Sequence, residues 1–436
     1  MYPLGISYLA AACSKAGYEV KLCDFAIEKD TFFLTVDTFK PDYIGLSLRN
    51  IDDIYLETDN FFPSRLFEIT KAIREKYTVP IILGGSGYAL FPEDLLDLSG
   101  ADFGICGEGE DALVALLDRL GSKKDYWDIP GLVFRKDGSI HRNAQKPCVA
   151  YNDLLPERPR YLSDYYVKSS LMLNIQTQRG CPFKCCYCTY PLIEGTAVRY
   201  RSPEIVCDEI EKIMTAGAPY FFIVDSVFNS SHDHVAGICE EIIRRKITIP
   251  WGCYFRPKGV TRELLVLAAR AGLKHIEFGS DSFCDSVLSA YGKNFCFSDI
   301  LHASECAGEA GIHYAHFLIF GGPGETEQTM HKSFEHSKRI KKSIFFPFAS
   351  MRLYPGTPLF ECALDQGVVT DKQDLLHPFY YMNQNVSQEK ATALVDEFSK
   401  LSSNWISCKK SVQSQKVMNI LRKQHIVGPL WELLIK

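Results

Sequence analysis

Four cysteines fall within the eight positions 181 to 188, in the stretch "QTQRGCPFKCCYCTY". Three of them, Cys181, Cys185 and Cys188, have the spacing CxxxCxxC, which lets one short loop aim three thiolates at one centre. A structural zinc site takes four ligands, usually as two separated CxxC pairs, and no second pair occurs in the chain. A [4Fe–4S] cluster also normally takes four cysteines. Held by three, it leaves one iron open to a substrate or cofactor and becomes a reactive centre. Cys186 lies off this spacing and reads as a bystander thiol, packed or exposed.

The loop must be held by what surrounds it. It follows the apolar run "LMLNIQT", and from about residue 171 further runs alternate with helical stretches: "YFFIVD", "WGCYFR", "KHIEFGS", "HYAHFLIFG" and "FPFASMRLY". Six strand–helix units describe a partial βα barrel of TIM type, in which chemistry collects where strands end. Those ends carry Asp225 and Ser226 in "IVDSVFN", Arg256 in "CYFRP", Glu277, Ser280 and Asp281 in "HIEFGSDS", and Gly321 and Gly322 in "FGGPGETEQT". The last stretch lacks the GK[ST] ending of a phosphate loop, and its Glu325 suits a helix start. Pro355 and Gly356 of "RLYPGTPLF" suit a turn. Tyr190, Phe228 and Tyr254 are aromatic candidates for a pocket wall, although such residues more often fill a core.

Before the barrel, the runs "YEVKLCDF", "DYIGLSL", "VPIILGG" and "ADFGICGEG" alternate with helices such as "PSRLFEITKAIREKY", the rhythm of a doubly wound, flavodoxin-like α/β sheet. Ligands of such sheets sit at the carboxyl ends of strands. Here those ends carry Asp24, Ser47, Arg49, Asn50, Gly84, Gly85, Gly107, Glu108 and Gly109. "GLVFRKDGSIHR" predicts a hairpin turning at "DG". The chain starts at "MYPLG", past the point where a first strand would lie. The expected organisation is a sheet domain over 1–142, a linker over 143–170, the barrel over 171–360 and a helical region over 361–436.

The chain has 436 residues, 46% hydrophobic and 23% charged, as expected of a well-cored globular protein. A net charge of -5 argues against nucleic-acid binding by charge alone. No leader and no membrane span is expected from the opening residues. Most of the sixteen cysteines stand singly in apolar runs, which points to the reducing cytoplasm. Cys362 and Cys408 stand alone, which speaks against an auxiliary cluster.

The CxxxCx(aromatic)C loop at the end of the first barrel strand, followed by "TAVRYRSPE", resembles the radical S-adenosylmethionine superfamily. The resemblance implies that the open iron chelates S-adenosylmethionine, and that one electron cleaves its C5′–S bond to give a 5′-deoxyadenosyl radical. A flavodoxin- or ferredoxin-type donor would supply that electron. By the same resemblance Tyr187, Gly321 and Gly322 lie near the adenine, and Asp225 and Ser226 near the amino group or substrate. Arg256 lies on the carboxylate, and Glu277, Ser280 and Asp281 near the ribose or methionine ends. The residues alone also allow Asp225 as a helix cap, Arg256 as a rim salt bridge and Glu277 as a buried polar contact.

A flavodoxin-like sheet ahead of this barrel resembles the cobalamin-binding subclass, which places Ser47, Arg49, Asn50, Gly84, Gly85, Gly107, Glu108 and Gly109 against the corrin or its nucleotide tail. The DxHxxG motif that supplies a cobalt-ligating histidine is replaced by "DFAIEK". Arg49 and Asn50 are candidates for the lower corrin face, or for tail and interdomain contacts. The implied activity is methylation of an unactivated carbon in a small-molecule, lipid or peptide substrate. The alternatives are a radical cyclase or rearrangement enzyme without cobalamin, and a non-catalytic cobalamin or iron–sulfur sensor. A sensor would use the mildly basic tail after residue 407 as its output, whereas the plainer reading packs that tail across the barrel.

Overall fold

The computed structural model describes residues 1–54, 60–148, 150–407 and 426–435. Its first sheet has five strands in the order β1-β2-β3-β4-β5: β1 (Ile44–Ser47), β2 (Ile81–Gly84), β3 (Phe103–Ile105), β4 (Leu132–Lys136) and β5 (Ser139–Arg142). The first three are parallel, and β4 and β5 add an antiparallel hairpin. Asp137 and Gly138 both take positive φ at its tip (51° and 76°), as a type I′ turn demands. Helices α1 (Leu4–Lys15), α2 (Phe32–Phe39), α3 (Pro63–Lys76), α4 (Pro92–Ser99) and α5 (Glu110–Gly121) accompany this sheet.

One expected strand does not form. "YEVKLCDF" enters no ladder. In the flavodoxin order 2-1-3-4-5 its neighbour would be a strand ahead of α1, and the described chain has none there. Apolar patterning without a partner leaves an extended segment. Asp24 at its end is tied instead to the following domain, accepting a hydrogen bond from the Tyr166 hydroxyl at 2.5 Å.

After α6 (Arg160–Ser170) the second sheet begins with β6 (Leu173–Ile175), and a short ribbon, β7 (Gln178–Arg179) with β8 (Arg199–Tyr200), brackets the cysteine loop and the one-turn α7 (Tyr190–Ile193). The remaining strands are β9 (Phe221–Ile223), β10 (Trp251–Phe255), β11 (Leu273–Asp281), β12 (His313–Ile319) and β13 (Ser343–Phe348). All six barrel strands are parallel, in the order β13-β12-β11-β10-β9-β6. The partial barrel read from the apolar runs is therefore the barrel observed.

The outer helices are α8 (Pro203–Thr215), α9 (His232–Arg244), α10 (Arg262–Arg270), α11 (Asp285–Ala290), α12 (Phe297–Glu309) and α13 (Glu327–Ser337). Several start on hydroxyl caps that accept from the first turn's free N–H groups: Ser202, Ser231, Thr261 and Thr326. Beyond the barrel lie α14 (Pro358–Asp365) and α15 (Gln388–Leu401). Most of the expected helical tail, with Cys408, lies outside the described residues. No helix among those described is long and apolar enough to cross a membrane.

Sheet and barrel meet through buried ion pairs. Glu209 on α8 accepts from Arg158 and from Arg201, each at 2.5 Å, and Arg201 also donates to the Tyr8 hydroxyl of α1 at 3.0 Å. Burial would raise the Glu209 carboxyl, but Arg201 and Arg158 outweigh it and hold the group below its ordinary range. Glu209→Ala strands two buried guanidinium groups and is expected to cost about 3–5 kcal/mol at neutral pH. Because the folded carboxyl is depressed, its stabilisation is complete above the unfolded pKa and is lost as pH falls through the folded one. Thermal unfolding should therefore show a wide gap between wild type and variant at pH 7 that narrows in acid.

Candidate functional site

The cysteine loop is shaped by contacts from distant elements. Gly180 enters it at φ +93°, and a Cβ there would lie 2.3 Å from the Ala197 carbonyl oxygen, so only glycine fits. The Gly180 N–H donates to Glu194 Oε2 at 3.0 Å and the Cys181 N–H to the Gly195 carbonyl at 3.0 Å. Farther along, the Cys186 N–H donates to the Tyr291 carbonyl at 2.9 Å, and the Cys186 carbonyl accepts from the Leu359 N–H at 2.8 Å. Cys181 is buried, while Cys185 and Cys188 are half-buried. Cys186 packs in an apolar cluster with Tyr291, Met351 and Leu359, and burial pushes its thiol up to about 12.

Among the described residues only one set of three metal-binding side chains has its ligand atoms within 4.8 Å of one another, and it is not the cysteines. A single zinc with Zn–S of about 2.3 Å would draw thiolates inside that limit. Three thiols on one loop suit an iron–sulfur cubane, whose ligands sit on different irons. Burial pushes the Cys188 thiol up to about 12 and raises Cys181, so loading iron must displace protons.

Two cations stand by to offset that cost. The Arg256 guanidinium lies 3.7 Å from the ring centroid of Phe183, inside the cysteine loop, and its N–H and C=O are both held by Asn229 at 2.9 Å. Its outer nitrogen donates to Asn294. Burial lowers its pKa, against the opposing pull of Cys185 and Cys181. Lys293 is buried, pairs with Asp281 and donates to the Tyr187 hydroxyl at 3.3 Å. Burial would lower Lys293, but Asp281 raises it above its ordinary value. Tyr187 in turn donates to Asp281. Ser226 lies against the loop, its hydroxyl 3.5 Å from the Gly180 carbonyl. Arg256, Asp281, Tyr187 and Ser226 thus converge on the cysteines. Lys293, Phe183, Asn229 and Asn294 join them without any spacing in the sequence that would have singled them out.

Four expected contacts are placed elsewhere. Asp225 is 0% exposed and accepts from the Thr177 N–H (2.7 Å), the Thr177 hydroxyl (2.6 Å) and the Gln178 N–H (3.3 Å). It braces two strand ends, and burial pushes its carboxyl up to about 7. Ser280 is the extra residue of a bulge between Gly279 and Asp281, and it turns into the core to meet His316 Nδ1 at 2.7 Å. Gly322 is packed so closely that a Cβ would meet Met351 Sδ and Tyr291 Cε1 at 2.6 Å. Glu277 points into the barrel well below the cysteines and accepts from Trp431 Nε1 at 3.0 Å. Gly321 turns the chain at φ +84°.

On the first sheet, Ser47, Arg49 and Asn50 are exposed at the carboxyl edge. Gly85, at φ +101°, allows the next loop to close on them: a Cβ would lie 2.5 Å from the Leu48 carbonyl oxygen and 2.7 Å from Ser47 Oγ. Gly84 ends β2 beside it. Burial raises the Tyr190 and Tyr254 hydroxyls, and the charge of Arg49 nearby opposes that rise. The sheet edge therefore lies close to the residues that follow the cysteine loop. The fully buried Tyr88 fills the volume over Gly104, where a Cβ would lie 1.7 Å from its oxygen, and that hydroxyl has no partner. An exposed strand edge and close-set glycines fit a large polar ligand such as a corrin. The "GEGE" loop departs from expectation. Glu108 is clasped by Arg199 and lies 3.8 Å from Arg179, Gly107 abuts Gln145, and Gly109 abuts Leu9, so this loop serves the domain junction.

The family model described as B12 binding domain matches residues 1–117, and that of the Radical SAM superfamily matches 175–336. The chain belongs to the cobalamin-binding radical S-adenosylmethionine proteins. This radical S-adenosylmethionine chain is 25% identical over 373 residues to an uncharacterised methyltransferase of Pyrococcus horikoshii, covering 83% of this chain and 78% of the relative. It is 24% identical to the tryptophan 2-C-methyltransferase of Streptomyces laurentii, covering 84% and 72%. Its fold matches the radical S-adenosylmethionine methyltransferase TsrM from Kitasatospora setae, solved with cobalamin and a [4Fe-4S] cluster bound, at a TM-score of 0.81, with 22% identity and 92% and 86% of the two chains covered.

Alanine at Cys181, Cys185 or Cys188 is expected to abolish iron and sulfide retention after anaerobic reconstitution. Cys186→Ala, which alters only the apolar packing behind the loop, should keep wild-type iron and sulfide.

Proposed function

We propose that this protein is a cobalamin-dependent radical enzyme that methylates an unactivated carbon of a small-molecule substrate. The observation that carries the reading is the pairing in one chain of a B12-binding match and a Radical SAM match, with two half-buried thiols in the loop that Tyr190 follows and the exposed sheet edge with Arg49 near that tyrosine. When bound, the cluster with S-adenosylmethionine supplies one-electron cleavage of a carbon–sulfur bond, and the corrin supplies a transferable methyl group.

The chain's own residues bind, orient and shield. Cys181, Cys185 and Cys188 would hold the cluster. Arg256, fixed by Asn229 and stacked on Phe183, offers a fork to the S-adenosylmethionine carboxylate. Asp281, paired with Lys293, and the Tyr187 that donates to it would stand at the sugar and adenine side, with Gly321 turning the backbone nearby. Ser47, Arg49, Asn50, Gly84 and Gly85 would receive the corrin, and "DFAIEK" contains no histidine to ligate its cobalt. Phe317, Phe346 and Phe348 line the lumen, with Phe317 stacked on Phe346 at 5.1 Å and on Phe348 at 6.2 Å. Such a wall keeps water from a reactive centre. A flavodoxin- or ferredoxin-type donor and a cytoplasmic setting complete the reading; the latter is supported by the fifteen described cysteines, all of which are free.

Reconstitution with iron, sulfide and hydroxocobalamin, followed by gel filtration, should yield a cluster and a co-eluting corrin. Reduction with S-adenosylmethionine should then release 5′-deoxyadenosine. A cluster without corrin would remove cobalamin from the proposal, and a loaded, reduced protein that leaves S-adenosylmethionine intact would point to a sensor. Arg256→Met should keep its iron yet raise the S-adenosylmethionine concentration for half-maximal cleavage roughly 10- to 100-fold, the loss expected for a charge-assisted hydrogen-bond pair.

A further inference from the structure

The floor of the barrel, at the opposite end from the cysteines, holds a second cluster of ligating side chains. His275 on β11 and His313 on β12 are direct partners in the parallel ladder, and alternation puts both on the lumen side with Glu277 and Ala315. Residues 426–435 come up against them. Gly428, at φ +92°, lies so near that a Cβ would be 3.0 Å from His275 Cε1. Trp431 meets the His275 ring edge-to-face at 5.6 Å and donates to Glu277. Glu432 then reaches both imidazoles, with its Oε2 2.5 Å from His275 Nε2 and 3.2 Å from His313 Nδ1.

We propose that His275, His313 and Glu432 form a divalent-metal site, suited to zinc, that fastens the C-terminal segment across the barrel floor. The three ligand atoms lie within 4.8 Å of one another. A tetrahedral zinc with bonds of about 2.0–2.2 Å to nitrogen and oxygen spaces its ligands about 3.3 Å apart. The His313–Glu432 pair already has that spacing. The His275–Glu432 pair must open by less than about 1 Å, which a turn of the partly exposed Glu432 side chain provides.

The surroundings suit an ion. His275 Nδ1 lies 2.9 Å from the Tyr220 hydroxyl, the kind of partner that fixes a ligating imidazole's tautomer and ring angle. Tyr220 and His275 are both buried, so this arm is rigid. His313 is 50% exposed and Glu432 27%, which leaves a fourth position open to water. Two imidazoles and one carboxylate are a donor set zinc accepts. Closing this ring of contacts would hold Trp431 on Glu277 and so set the depth of the lumen.

The test uses the full-length chain purified without added metal, with zinc and iron measured in the same sample after desalting against a weak chelator. The expected result is about one zinc per chain. That zinc should fall at least tenfold in His313→Ala and in Glu432→Gln, and persist in Cys186→Ala and in Cys181→Ala/Cys185→Ala/Cys188→Ala. Zn2+ added to stripped wild-type protein should raise the unfolding temperature with concentration, as binding to the folded state alone requires, and should not do so in His313→Ala. His313 is half exposed, so its loss spares the core. Absence of retained zinc overturns the proposal. So does a zinc content that survives in His313→Ala and Glu432→Gln, or one that disappears with the three cluster cysteines.

Discussion

The cysteine loop has to present three thiols to one centre while leaving one side open, and the rest of the structure is arranged around that demand. The loop has almost no hydrogen bonds of its own; the Cys188 N–H to the Cys185 carbonyl, at 3.2 Å, is the exception. Its shape comes from Gly195, Tyr291 and Leu359, which belong to the turn between α7 and β8, the connection after α11, and α14. These pins exist only in the closed barrel. Gly292, at φ +73°, tightens the same fit, since a Cβ would lie 2.3 Å from the Lys184 carbonyl oxygen. The burial that positions Cys181 and Cys188 also opposes their ionisation, and Arg256 and Lys293 stand beside the loop as opposing charge.

Charge is used differently at the junction of the two sheets. Arg158, Arg201 and Glu209, with Arg179, Arg199, Glu108 and Glu110, form a buried belt from α1 and α5 to α8 and the β7–β8 ribbon. Burying this many charges is worthwhile only when each finds its partner, so the belt tolerates one relative placement of sheet and barrel. That placement sets the gap between Arg49 and the cysteine loop. It also explains why Glu108 serves the clasp and not the ligand: the nearest cations are already in the dry interface.

The lumen between rim and floor is mostly aromatic. Phe317, Phe346, Phe348 and Tyr254 line it, Gly279 leaves open space where a Cβ would meet nothing within 4 Å, and Glu277 contributes an acid. Burial pushes the Glu277 carboxyl up to about 7, with the Trp431 hydrogen bond opposing. A carboxyl so poised marks the lower end of the cavity and is better suited to the floor than to a cofactor at the rim.

The sequence by itself determined the barrel, the spacing of Cys181, Cys185 and Cys188 along one loop, and the hairpin at Asp137–Gly138. These follow from period-two apolar runs, fixed spacings and turn chemistry, all of which act between residues close along the chain. The B12-binding character of the first domain was also legible, from glycine-ended strands ahead of the barrel. Only the tertiary structure decided which rim residues face the site. A single bulge in β11 sends Ser280 into the core and swings Asp281, at φ +61°, toward Lys293. "YEVKLCDF" carries a strand's pattern but lacks a neighbour to complete its ladder. Lys293 reaches Tyr187 across 106 positions, and Glu432 reaches His275 across 157. A hydrogen bond or ion pair over such separations leaves no periodic trace in the chain, because it depends on where folding brings two side chains and not on their spacing.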